Sequence, residues 1–141
     1  GFTCVYTVYM TKHSWITISL NDPRPLYLQV MEQIMRRVAV GDLLPGADLP
    51  SIRELAADLK VSVITIKRAY LELERDGVIV TRQGKGSVVA ERPGLQSSLQ
   101  EQELKEHLNQ AVSLGLLLGI SKTELQRRLA EVYEQSKRRA P

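Results

Sequence analysis

The sequence predicts a mainly α fold with a small β-hairpin, closed by a C-terminal pair of helices. Three observations predict it. Apolar residues recur at helical spacing in five separate stretches. Two of those stretches, around residues 52 and 63, leave room between them only for a tight turn. Two short β-branched runs flank a Gln83-Gly84-Lys85-Gly86 tip.

Residues 1–20 form an N-terminal β-prone segment rich in Thr, Val, Tyr and Ile, with 3–9 and 15–19 as candidate strands. Met10 falls inside it, so residues 1–9 are expected to be either a genuine extension or a non-native leader. Asn21-Asp-Pro-Arg-Pro25 reads as a turn and helix start. The helix then expected over 26–40 carries Tyr27, Val30, Met31, Ile34 and Val38 on one face, and Gly41 stops it. Leu44-Pro45-Gly46 is a turn. Ser51-Ile52-Arg53-Glu54 fits a capping box, in which the serine hydroxyl accepts from the amide three residues on. It opens a short helix over 52–59 with Leu55, Ala56 and Leu59 inward. Ser62 caps the next helix, which runs to about residue 76 with Ile66, Ala69, Tyr70 and Leu73 on one stripe, and Gly77 ends it. Runs 78–82 and 87–90 then read as a hairpin. Three helices followed by a two-stranded hairpin, over 21–92, is the order of a winged helix-turn-helix.

Beyond it, 91–98 reads as a linker around Pro93-Gly94, and 99–118 is helical in pattern. Gly119-Ile120 is a break. Ser121-Lys-Thr-Glu124 is a second capping box, followed by a stripe of Leu125, Leu129, Val132 and Tyr133. Two helices joined by so short a loop should pack as an antiparallel hairpin, which makes 93–141 a linker and helical hairpin.

Composition removes several functions. The single cysteine, Cys4, cannot form an intrachain disulfide, and with His13 and His107 far apart no metal cluster can be assembled. No phosphate-binding glycine loop and no nucleophile–base pair is present, so no catalytic residue, metal or cofactor is expected and the chain is not read as an enzyme. No apolar run approaches the ~18–20 residues of a membrane span. The first ten residues lack a basic leader, and with one cysteine this points to the cytoplasm.

Net charge is only +3, but its distribution is informative. Between Lys60 and Gly86 six basic residues (Lys60, Lys67, Arg68, Arg75, Arg82, Lys85) face three acidic ones (Glu72, Glu74, Asp76). That local excess of +3 equals that of the whole chain, and it lies where the second helix of such a motif enters a major groove. Ser62 and Thr65 can hydrogen-bond phosphate or base edges there, and Val63 and Ile64 can touch a thymine methyl. Lys67 and Arg68 lie opposite the buried stripe and point outward. Arg53, in the first turn of the preceding helix, suits bidentate reading of guanine or a phosphate clamp. The Gly84-Lys85-Gly86 tip lets backbone approach closely and offers one lysine. Each feature also has a plainer reading. Arg53 could pair with Asp58 or Glu54, Gly-Lys-Gly could be only a turn, Lys67-Arg68 only a solvated face, and Ser51 and Ser62 only caps. The order in which they occur favours nucleic acid. The alternative is a module that binds protein through the same surface without reading DNA.

The assembled motifs are specific. Trp15-Ile-Thr-Ile, Pro25-Leu-Tyr, Gly41-Asp-Leu-Leu-Pro-Gly-Ala-Asp-Leu-Pro-Ser-Ile-Arg-Glu-Leu-Ala, Ala69-Tyr-Leu-Glu-Leu-Glu-Arg-Asp-Gly and Gly84-Lys-Gly together resemble the GntR family of bacterial transcriptional regulators over about residues 15–90. The two-helix tail resembles its YtrA-like branch. The resemblance implies operator contacts from Arg53, Ser62, Val63, Ile64, Thr65, Lys67, Gly84, Lys85 and Gly86, and the residue reading adds Ser51, Arg68 and Arg82 as candidate DNA-binding residues. It also implies a homodimeric repressor on an inverted repeat, often controlling a nearby ABC-transporter operon. Two departures touch the bases read: Val63-Ile64 is more apolar than usual for that exposed turn, and Lys67 stands where the family often has arginine. The effector is not readable, and the 49 residues from Pro93 onward are thin for a closed pocket of ~300 Å³ or more. The tail is therefore expected to dimerise through Leu104, Leu108, Val112, Leu116, Leu125, Leu129 and Val132, the alternative being that these pack back on the winged domain.

Overall fold

The computed structural model describes residues 15–140 together with the strand Tyr6–Thr7. Those residues hold five helices and two small antiparallel sheets. They divide into two compact units, residues 1–101 and 102–141.

In the first unit, strand β1 (Tyr6–Thr7) pairs antiparallel with β2 (Ile18–Ser19). The remainder of the strand expected over 3–9, with Cys4 and His13, lies outside the described residues. The β2 segment is held from its other side by two glutamines of helix α1 (Leu26–Ala39). Gln29 accepts from the Ser19 amide at 2.9 Å and donates to its carbonyl at 3.1 Å. Gln33 does the same for Thr17, at 2.8 and 2.7 Å. A primary amide carries one donor and one acceptor group side by side, so two of them four residues apart imitate a neighbouring strand. Gln29, 5% exposed, is the one buried polar residue among the described residues. Ile16 and Ile18 thereby reach the core beside Val30, Ile34 and Val38 of α1.

Helix α2 (Ile52–Leu59) opens at Ser51, whose hydroxyl accepts from the Glu54 amide at 3.1 Å. It ends at Lys60 in the left-handed conformation (φ 56°), and the Val61 amide closes back onto the Ala56 carbonyl. That is the tight turn of the motif. Helix α3 (Val63–Arg75) follows, capped by Ser62 and burying Ile66, Ala69, Tyr70 and Leu73 against α1 and α2. Strands β3 (Ile79–Arg82) and β4 (Gly86–Val89) pair in register Ile79↔Val89 to Arg82↔Gly86.

Two features differ from the sequence expectation. The stretch expected as a turn and connection before Ser51 pairs with the far edge of β4: the Gly46 amide bonds Val89, the Val89 amide bonds Ala47, and the Leu49 amide bonds Ser87, at 2.8–3.0 Å. The linker expected over 91–98 is shorter, because helix α4 (Leu95–Leu118) starts four residues before the expected position 99. Leu95 and Leu99, one helical turn apart, are both buried in the core, and the Gln96 and Gln100 side chains both donate to the Ala39 carbonyl that ends α1. The first two turns of α4 therefore belong to the winged unit.

The second unit contains the rest of α4 and helix α5 (Lys122–Arg139). Ser121 caps α5 by accepting from the Glu124 amide at 3.1 Å. Gly115 is buried: a Cβ there would stand 3.4 Å from Leu125 Cδ2 and 3.6 Å from Ile120 Cγ1. A Cβ at that position would make ordinary van der Waals contact with Leu125 and Ile120, so the two helices pack closely there.

Candidate nucleic-acid interface

The start of α2, the start of α3 and the hairpin tip are joined through one short segment. The Leu49 amide donates to the Ser87 carbonyl of β4 at 3.0 Å. One residue on, the Pro50 carbonyl accepts from the Tyr70 hydroxyl of α3 at 2.7 Å. Residues 49 and 50 are thus pinned to the hairpin on one side and to α3 on the other, and Ser51 and Arg53 emerge between them. Burial first, and the nearby Glu54 carboxylate second, push the Tyr70 phenol well above its ordinary pKa, so it stays protonated and donating.

At the head of α3 the Ser62 hydroxyl accepts from the Thr65 amide at 3.1 Å and lies 2.9 Å from the Thr65 hydroxyl. Its own proton remains available to Thr65 or to an incoming oxygen. Val63 and Ile64 are exposed, Ile64 at 78%. Gly84 and Gly86 both take positive φ, and nothing lies within 4 Å of where their side chains would be. Any residue with a Cβ would be strained there, and the open surroundings let another backbone come close.

The basic residues separate into two groups. Arg53, Lys67 and Lys85 are exposed and have no ion-pair partner among the described residues. The other four, Lys60 among them, are engaged. Arg68 places its guanidinium carbon 4.1 Å from the centroid of the Tyr27 ring. Arg82 reaches Glu91 at 3.4 Å, and Arg75 pairs with Glu72 on its own helix. Glu74 accepts from the Thr81 amide at 3.1 Å, which ties the end of α3 to β3. The pairing of Arg53 with Asp58 or Glu54 is therefore not formed, whereas Arg68 is partly immobilised by Tyr27. Sequence reasoning assigned Tyr27 only to the helix stripe. Its place in the first turn of α1, two residues after Pro25, is the one hint that its ring can be reached from outside.

The seven expected dimerisation residues belong to the second unit, in α4 and α5. Leu104, Leu108, Val112, Leu116, Leu129 and Val132 are exposed, Leu116 at 74%, and Leu125 is half-buried against Gly115.

A three-helix core with a capped, outward-facing second motif helix and a glycine-tipped hairpin defines a winged helix-turn-helix regulator. The comparisons agree. The family model for bacterial regulatory proteins of the gntR family matches residues 26–89. The chain is 40% identical over 105 residues to the HTH-type transcriptional regulator YhcF of Bacillus subtilis, covering 74% of this chain and 87% of that one. It is 33% identical over 117 residues to the HTH-type transcriptional repressor YtrA of the same organism, covering 79% and 88%. Among solved structures, a GntR family transcriptional regulator from Listeria monocytogenes superposes with a TM-score of 0.69 at 31% identity, over 79% of this chain and 98% of that one. The chain belongs to the GntR family of bacterial regulatory proteins, in its YtrA-like branch.

Proposed function

We propose that the chain is a transcriptional repressor that binds an inverted-repeat operator as a homodimer in the cytoplasm. The observation that carries the reading is the pinning of residues 49 and 50 between Ser87 and Tyr70. It holds three exposed, unpaired cations (Arg53, Lys67 and Lys85) on three adjoining elements, as phosphate and base-edge contacts require. Ser62 and Thr65 supply hydroxyls, Val63 and Ile64 meet thymine methyls, and Arg68, steadied by Tyr27, meets a phosphate. Ser51 opens α2 beside them. Gly84 and Gly86 bring the wing backbone into a minor groove with Lys85, while Arg82 exchanges Glu91 for phosphate.

Residues 21–92 read the operator, and the chain from 93 onward pairs two copies, with the first turns of α4 also serving the core. A single winged unit spans too few base pairs for specific regulation, and a two-fold dimer reads two half-sites. The exposed Leu104, Leu108, Val112, Leu116, Leu129 and Val132, with Leu125, supply the apolar faces of a four-helix bundle. The resemblance to the YtrA-like branch extends the role to an adjacent ABC-transporter operon. Among the described residues no helix is long and apolar enough to cross a membrane.

The test is fluorescence anisotropy on a duplex carrying the inverted repeat nearest the gene, over a range of salt. Arg53→Ala should weaken binding by roughly 1–3 kcal/mol without altering the melting temperature. Affinity unchanged at fixed salt removes Arg53 from the interface. Binding with no salt dependence favours a protein partner for the same surface.

A further inference from the structure

The tail from Pro93 is thin for a closed pocket of its own, but its first residues join the winged core in forming one. A cavity of about 420 Å³ opens between the loop after α1, the end of β4 and the first turn of α4. That volume lies within the ~300–1,000 Å³ of small-ligand sites. Its wall is aliphatic, with Val38, Leu43, Leu44, Pro45, Val89 and Leu95 contributing. Leu44, 63% exposed, stands at the open side of this wall.

Its two charged lining residues are not equivalent. Glu91 lies against Gly46 and is already matched by Arg82 at 3.4 Å. Arg92 has no ion-pair partner among the described residues, and its guanidinium rests on Gly77, where an added Cβ would stand 3.4 Å away. The cavity therefore offers an apolar wall, with one unpaired arginine at its rim whose guanidinium now lies on Gly77 and would turn to meet an anion. The chemistry that complements both is an aliphatic body with a single carboxylate.

We propose that this cavity binds a small amphipathic carboxylate, with the chain on Leu43, Leu44 and Pro45 and the carboxylate on Arg92. An occupant there touches the segment 91–97 through which the chain leaves the winged core, next to the Gln96 and Gln100 bonds to Ala39. The site adjoins the operator surface through the Arg82–Glu91 pair, and its test requires no DNA.

The experiment is calorimetric titration of the full chain with octanoate, and with octanamide as the uncharged match. Octanoate should saturate at one site per chain, with octanamide at least tenfold weaker. Arg92→Gln should erase that difference, and Leu44→Asp should weaken octanoate at least tenfold. Both residues are exposed, so both variants should keep the parent melting temperature. Equal affinity for the acid and the amide, or no saturable binding, overturns the proposal. So does octanoate binding that survives both substitutions, because the ligand would then be lying on the exposed leucines beyond Glu101.

Discussion

Helices α3 and α4 are built from similar apolar residues, but they use them differently. In α3 the residues Ile66, Ala69, Tyr70 and Leu73 make one stripe, and all are buried within their own unit. Beyond residue 101, α4 carries Leu104, Leu108, Val112, Leu114, Leu116, Leu117 and Leu118 around several sides, all exposed, with Leu117 at 84%. Helix α5 buries none of its residues. A one-sided stripe is a matter of intramolecular packing; a helix apolar on several sides needs more neighbours than one partner helix supplies. The winged unit buries its apolar stripe within itself, whereas the two-helix unit leaves its apolar residues exposed, and in the homodimer proposed above they form one half of the interface.

The largest expected effect probes the buried side of this contrast. Ile66→Ala removes a fully buried side chain where α3 meets α1, and should cost about 2–5 kcal/mol in chemical denaturation. A loss under about 0.5 kcal/mol, as at a surface position, would erase the distinction between the helices. Next is the exposed side. A charge at Val112 (Val112→Glu) should weaken self-association at least tenfold, about 1.4 kcal/mol, in sedimentation over a concentration series. The fold of a dilute sample should be unaffected. A chain cut after Glu101 should sediment as a monomer, and a dimeric fragment would move the interface into the winged unit.

A smaller effect sharpens the account of the interface. Tyr70→Phe removes the donor to Pro50 and should cost about 0.5–1.5 kcal/mol of stability. It should also weaken operator binding, because the start of α2 is then tied only to β4. Unchanged affinity would mean that the Leu49–Ser87 bond suffices.

The smallest effect is electrostatic and confined to α5. Hydrogen bonds from Arg127 and then Arg128 hold the Glu124 carboxyl down at about 2, against an ordinary 4.5. A carboxyl whose pKa is lowered by folding stabilises the fold above its unfolded value. That contribution fades as the pH falls from 4.5 towards 2. The helicity difference between the parent and Glu124→Gln should shrink over that window. A difference independent of pH would show that the arginines do not depend on the charge.

The serine caps at 51, 62 and 121, the α3 stripe, the tight turn at Lys60 and the glycines of the wing were all legible in the sequence. Each depends on residues within about four positions of one another, so spacing alone specifies it. The same spacing places the candidate interface residues at the start of α2, the start of α3 and the hairpin tip. Their condition was not legible: neither the capture of Arg68 by Tyr27 nor the absence of a partner for Arg53 has any local signature.

What only the tertiary structure decided is the set of contacts between distant segments. The amides of Gln29 and Gln33 serve as a strand for residues 17–19, ten to sixteen positions away. Residues 46–49 hydrogen-bond along the edge of β4, with a bridge at Asp48, without any strand-like run of their own. Leu95 and Leu99 extend α4 back into the core, where Gln96 and Gln100 meet a carbonyl 57 and 61 residues earlier. In each case a backbone group had to find a partner once the core had formed. Local sequence determines which groups need one, and only the packed chain determines which residue is within reach.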